Sequence, residues 1–457
     1  MSTISDYQNN SAVENVTQAI MAAKSHESYN ILISLTEERA LAKAREIDAN
    51  PKKGKLAGIP FIAKDNFLAF GASTTAAAKL LETFEAPLQA AAIEKLEAEG
   101  AICIGKSNLD AFAHGGSTEN SYFGPTKNAY DQSKVAGGSS GGSAVATALG
   151  IVPFALGTDT GGSIRQPASF NGVIGVKPTY GMVSRFGVVA MASGTDCIGC
   201  FTSTAEDAEL VCSIIAGKDA KDMTTLEDYF VPTTIEQSLK IGIIKELMTD
   251  DVDQSVRDAV AAYADRMRAA GHTVEEVSLP IIKYSLAMYY IIVPAEISSN
   301  LARYDAVRYG TRAKNTKTLT ELYGKSRHEG FMPENKRRIM IGSYVLSSGY
   351  YDAYYVQAQK ARTLLIKAFN EQFSSFDVLL SPVAPTPAFS LGKNTTDPIK
   401  MYLEDAMTVP ASLAGLPAIS VPVGATSEGL PIGVQLIAKA KNDALLLAVA
   451  KSLEEKL

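Results

Sequence analysis

Two glycine-serine clusters and one lysine carry the chemistry most visible in this chain. The clusters are Gly137-Gly138-Ser139-Ser140-Gly141-Gly142-Ser143 and Gly157-Thr158-Asp159-Thr160-Gly161-Gly162-Ser163-Ile164-Arg165-Gln166. The lysine, Lys64, ends the apolar run Gly58-Ile59-Pro60-Phe61-Ile62-Ala63. A serine becomes a nucleophile when a base takes its proton, and glycines let backbone N–H groups converge on the oxygen that turns negative during attack. The three segments therefore read as the parts of a Ser-Ser-Lys acyl-transfer site. A flexible linker would have the same composition, but apolar Ala144–Leu149 and Val152–Gly157 flank the clusters as a helix and a buried strand. A phosphate-binding loop would need a Gly-Lys-Ser/Thr ending, which neither cluster has.

The base is sought first among histidines, of which there are four. His26 and His272 fall in polar stretches, His328 lies in the charged run Lys325-Ser326-Arg327-His328-Glu329, and only His114 is near a glycine-rich segment. Each reads as a surface or packing residue. Lys64 is better placed, because the apolar residues before it put it at the end of a buried strand. Serving as a base near neutrality requires lowering its pKa by roughly three units from about 10.4, worth about 4 kcal/mol, and burial acts in that direction. Ser140 and Ser143 are weaker candidates than Ser139 and Ser163. Asp159 and Arg165 read as braces of the second loop.

These segments need a scaffold, and the chain alternates in the α/β manner. Strands are expected at 59–64, 101–105, 152–157, 239–244, 273–277, 377–382, 417–422 and 433–437. Helices are expected over 35–46 with Thr36 at the N-cap, near 87–99, after Asn108, over 252–270 closed by Gly271, and from Asn442 onward. The first fifty residues read as helical, with a break at Lys52-Lys53-Gly54-Lys55, and 284–370 as a mostly helical lobe. The expected architecture is α/β: one large domain over 1–457, with a mixed central β-sheet covered by helices on both faces.

The 457 residues suffice for a large core, with 46% hydrophobic and 20% charged residues. A net charge of −6 offers no footprint for direct nucleic-acid binding. The N-terminus lacks a basic-then-apolar leader and no run is long enough to span a membrane, so the expected location is cytoplasmic. The four cysteines form no disulfide framework, and despite the Cys197-x-x-Cys200 pair their spacings match no zinc pattern. They are expected as reduced structural thiols, with no metal bound.

Lys64 and the two clusters resemble the amidase signature family. That resemblance implies Ser163 as nucleophile, Ser139 as a bridging serine on a cis peptide, Lys64 as final base, and backbone N–H groups of Thr160, Gly161, Gly162 and Ser163 as oxyanion hole. The second half, including Lys336-Arg337-Arg338-Ile339, Ser347-Ser348-Gly349-Tyr350-Tyr351-Asp352 and Leu413-Ala414-Gly415-Leu416-Pro417, is similar to members that hydrolyse glutamine for tRNA-dependent amidation. This likeness implies a pocket in which Arg338 holds the substrate carboxylate, Asp405 its amino group and Tyr289 a hydrogen-bonding wall. It implies B and C partner subunits in a heterotrimer, tRNA held through the partner, and ATP with Mg2+ used there, with no cofactor on this chain. A free-standing amidase for small or aryl amides is the alternative. Cys197, Cys200 and His114 depart from the family pattern, in which a polar residue, a proline and an apolar residue are expected.

Overall fold

The computed structural model describes residues 1–50, 54–395 and 397–454. Among the described residues eleven strands form one sheet: β1 Leu32–Leu35, β2 Pro60–Lys64, β3 Ile102–Ser107, β4 Phe154–Asp159, β5 Ile174–Lys177, β6 Cys197–Thr202, β7 Lys240–Ile244, β8 Thr273–Val277, β9 Val378–Pro382, β10 Ala418–Ala425 and β11 Pro431–Ala438. Their order is β1-β3-β2-β4-β6-β5-β10-β11-β9-β7-β8. The sheet is mixed. β2 runs parallel to β3 and β4, and β7 runs parallel to β8 and β9, while the pairs between these two blocks are antiparallel.

The two-residue period of a strand sends alternate side chains to opposite faces. Phe61, Ala63, Cys103, Phe154 and Leu156 join one core, which continues through Ile241, Val378, Leu380, Val434 and Leu436. Ile62, Ile102, Ile104 and Ala155 join another, under the helices Ala12–Ser25, Glu37–Ala49 and Gly141–Ala148. In the second half of the chain the opposite face is covered by Ser285–Leu301 and Gln357–Gln372, through Ile292, Val293, Leu365 and Phe369. Helices therefore pack on both faces of a single α/β domain.

Several local expectations need correction. The helix-like first fifty residues contain β1, an edge strand antiparallel to β3. Thr36 precedes the Glu37–Ala49 helix but does not cap it with its side chain; its hydroxyl donates to the Cys103 carbonyl at 2.7 Å. The short helix after Asn108 is one 3-10 turn, Ala111–Ala113, with Phe112 and Ala113 at φ +52° and +63°. β5 and β6 lie where the sequence pattern predicts no strand; both are short and carry glycine, which blurs the β signal. Part of the Lys52–Lys55 break, residues 51–53, lies outside the described residues. All four cysteines are buried and free. No described helix is long and apolar enough to cross a membrane.

The topology puts the chemistry at one edge. β2 and β4 run parallel with Ala63 opposite Leu156, so Lys64 at the end of β2 reaches Thr158 near the end of β4. Ser139 and Ser140 directly precede the Gly141–Ala148 helix, and Ser163 lies between β4 and the Arg165–Phe170 helix.

Candidate active site

Lys64 is fully buried. Its Nζ lies 2.8 Å from Ser139 Oγ, 2.8 Å from Ser140 Oγ and 2.9 Å from Thr158 Oγ1. Burial pulls its pKa down to about 7, although the charges of Asp110, Asp159 and Asp196 oppose the shift. A neutral amine has two N–H bonds and one lone pair to share among these three hydroxyls. Ser140 gives its own proton to the Thr158 carbonyl, at 3.1 Å, and so accepts from Lys64. Thr158 Oγ1 also receives the Asn66 amide at 3.1 Å and accepts the second N–H. The lone pair is left for Ser139, whose hydroxyl can pass a proton to Lys64. Ser140 is thus part of the lysine's hydrogen-bond shell.

The Gly138–Ser139 peptide is cis. Its loop is held at the Gly138 N–H by Gln166 Oε1 at 2.9 Å and at the Ser139 carbonyl by the Asp110 N–H at 3.2 Å. Ser140 N–H donates to the Ser163 carbonyl at 3.2 Å, tying the two serine loops together. Ser163 is 8% exposed, so it is nearly but not wholly buried.

The loop carrying Ser163 is held from beneath and above. Asp159 and Arg165, both fully buried, pair through Nη2–Oδ1 at 2.8 Å and Nε–Oδ2 at 2.9 Å, the two-pronged geometry in which a buried charge is best satisfied. Arg165 continues to the Thr408 carbonyl, Ser412 Oγ and Gln435 Oε1. Burial alone would raise the Asp159 pKa, but Arg165 outweighs it and holds the carboxylate below its ordinary value. Thr160 Oγ1 donates to Asp196 at 2.7 Å, and Thr408 Oγ1 donates to the Gly161 carbonyl at 2.6 Å. Gly162 has φ +149°, and a Cβ there would lie 2.2 Å from Thr408 Oγ1. A Cβ on Gly161 would lie 2.6 Å from the Tyr289 hydroxyl. Only glycine permits this turn, in which successive N–H groups can serve one oxygen.

Tyr289 leads from the nucleophile loop to the expected pocket. It packs edge-to-face on Tyr290 at 5.1 Å, and the Tyr290 hydroxyl donates to Asp405 Oδ2 at 2.7 Å. Arg338, 3% exposed, lies over the stacked rings of Tyr290 and Tyr402 at 5.4 and 5.6 Å. Its Nε donates to Glu334 Oε1 at 2.8 Å, one helical turn earlier, which leaves both Nη atoms for a ligand. Burial pushes the Asp405 carboxyl up to about 6, against the pull of Tyr290 and Arg338, so it is ionised at neutral pH. Arg338, Glu334 and Tyr402 line a cavity of about 250 Å³ with Asp110, His114 and Gly116. Arg338 on the Tyr290 ring and Asp405 on the Tyr290 hydroxyl thus set opposite charges about one side chain, the pattern that fits a zwitterionic amino acid.

The residue pattern named Lys64, Ser139 and Ser163, and the family resemblance implied Tyr289, Arg338 and Asp405; the fold sets Lys64 against Ser139, ties the Ser163 loop to Ser140, and places Tyr289 against Gly161 and both Arg338 and Asp405 against Tyr290. Sequence reasoning missed Thr158, Asn66 and Asp196, which orient the base and loop, and Tyr290, Glu334 and Tyr402, which fix the pocket's charges. The i,i+4 spacing of Glu334 and Arg338 was a readable signal. The tyrosines were not, because aromatic residues in a helical lobe usually mean core. His114 is no surface residue: it is fully buried at the cavity wall.

A family model described as Amidase matches residues 14–447. The A subunit of the glutamyl-tRNA(Gln) amidotransferase of Koribacter versatilis is 49% identical over 438 residues, covering 94% of this chain and 91% of that protein. The protein of the same name from Geobacillus thermodenitrificans is 49% identical over 439 residues, covering 94% and 90%. The crystal structure of the A subunit of glutamyl-tRNA(Gln) amidotransferase from Thermotoga maritima superposes with a TM-score of 0.83 at 38% identity, over 99% of this chain and 94% of that one.

Proposed function

This chain belongs to the amidase signature family, and on that premise we propose that it is the glutamine-hydrolysing A subunit of a tRNA-dependent amidotransferase. The observation that carries this reading is the pair of opposite charges, Arg338 over the Tyr290 ring and Asp405 on the Tyr290 hydroxyl, beside Tyr289, which lies against Gly161 of the loop that carries Ser163. A simple or aryl amide has no use for either charge. The relatives similar over nearly the whole chain have the same name as the proposed activity.

In the proposed reaction the glutamine α-carboxylate meets Arg338 and the α-amino group meets Asp405, with Tyr289 as the wall beside Gly161. Ser163 Oγ attacks the side-chain amide carbon as its proton moves to Ser139, whose own proton moves to Lys64. The carbonyl oxygen becomes an oxyanion facing the N–H groups of Thr160, Gly161, Gly162 and Ser163; each such donor is worth about 3 kcal/mol in the transition state. The C–N bond breaks, the nitrogen takes the proton back through Ser139, and ammonia leaves. Water then attacks the acyl-enzyme with the same base and releases glutamate. B and C subunits would receive the ammonia and hold the Glu-tRNA(Gln), or Asp-tRNA(Asn), that it amidates, with ATP and Mg2+ used on the partner. The net charge of −6 suits a subunit that leaves RNA to others.

The test compares glutamine with a simple aliphatic amide as substrates of the wild type and Arg338→Ala. The reading expects Arg338→Ala to raise the KM for glutamine at least tenfold and to leave hydrolysis of the simple amide unchanged. A wild type that prefers the simple amide, with glutamine turnover indifferent to Arg338, would establish a free-standing amidase instead.

A further inference from the structure

At the wall of the Arg338 cavity one fully buried side chain has a polar atom with no partner among the described residues: His114 Nε2. Its tautomer follows from its neighbour. Asn335, fully buried, donates from Nδ2 to the Ala111 carbonyl at 2.7 Å and accepts the Met332 N–H on Oδ1 at 3.1 Å, so its amide has one orientation. The same Nδ2 lies 2.8 Å from His114 Nδ1. Nδ1 is therefore an acceptor, and the ring proton sits on Nε2. Burial, with the charge of Arg338, holds the imidazole well below its ordinary pKa, so the ring stays neutral. The backbone is fixed too, since Asn120 Nδ2 donates to the His114 carbonyl at 2.9 Å. A buried donor without an acceptor costs stability, and such a group held by two fixed neighbours calls for a ligand.

We infer that His114 Nε2–H is a second hydrogen-bond donor to the carboxylate end of the substrate, acting beside Arg338 and selecting an amide that carries a carboxylate. The inference rests on the glutamine-hydrolysing reading of the site. Arg338 supplies the charge, and the neutral imidazole adds direction without a second buried positive charge to desolvate. An apolar residue at this position would give the same wall without the donor.

The experiment compares wild type, His114→Phe and His114→Gln in the assembled enzyme, with glutamine and with 4-aminobutanamide, which is glutamine without its α-carboxylate. His114→Phe has neither donor nor acceptor, whereas the amide of His114→Gln can present an N–H near the Nε2 position. The expected result is a KM for glutamine raised about ten- to hundredfold in His114→Phe, with kcat within a fewfold, and partial recovery in His114→Gln. The relative kcat/KM for 4-aminobutanamide should be the same in all three. Equal losses on both substrates, or identical behaviour of the two variants, would overturn the inference and leave His114 as packing. A wild type that does not hydrolyse glutamine would instead overturn the underlying reading together with it.

Discussion

At the scale of single residues the account rests on a lysine that is neutral because it is buried. With Lys64 titrating at about 7, the protonated form below that value cannot accept the proton from Ser139, so kcat should climb with pH through about 7 and level off above. Asp405 titrates lower, at about 6, and must be ionised to hold an ammonium group. KM for glutamine should therefore fall as pH rises through about 6, separately from the kcat limb. Asp405→Asn should remove the KM limb and keep the other; steady-state kinetics from pH 5 to 9 would check both. The Lys64–Ser139 contact was legible in the sequence because glycine-serine clusters beside apolar runs have a chemical reason, while the roles of Ser163, Ser139 and Lys64 came from the family resemblance. Thr158 and Asn66 were not legible: one lies near the end of a strand and the other follows one, and nothing in their types distinguishes a hydrogen-bond partner of Lys64 from a core polar residue.

At the scale of elements, the Ser163 loop is a tight turn held by contacts from far along the chain. Gly162→Ala would drive a methyl group into Thr408 and force a β-carbon onto a positive-φ residue. It should abolish turnover while thermal melting drops by only a few degrees, because the displacement is local. Arg165→Met leaves Asp159 as an unpaired buried charge. That change should cost about 3–5 kcal/mol of stability, measurable by urea denaturation, and a variant as stable as wild type would refute the bracing role. The same loops explain what the sequence could and could not reveal of the fold. Strands buried on both faces, such as β2 and β9, were readable as short apolar runs. β1 was hidden in helix-forming surroundings, and β5 and β6 acquire their strand character from neighbours on both sides.

At the scale of the whole molecule, the sheet joins two parallel blocks through antiparallel strands, and the site draws on both halves of the chain. The base and the serines come from the first block, while Arg338, Asp405 and the Arg165 contacts Ser412 and Gln435 come from the second half of the chain. Such a site cannot form in either half alone, so activity and global folding should be lost together in denaturant, in one transition seen by both probes.

The most direct measurement is ammonia release from glutamine by the purified chain, alone and with the B and C subunits that the proposal assigns to it, with Ser163→Ala as the blank. The account predicts release that the partners stimulate strongly and that Ser163→Ala abolishes without loss of the folded state. Undiminished release by Ser163→Ala would contradict the mechanism; hydrolysis of simple amides by the lone chain, with no release from glutamine in either state, would contradict the function.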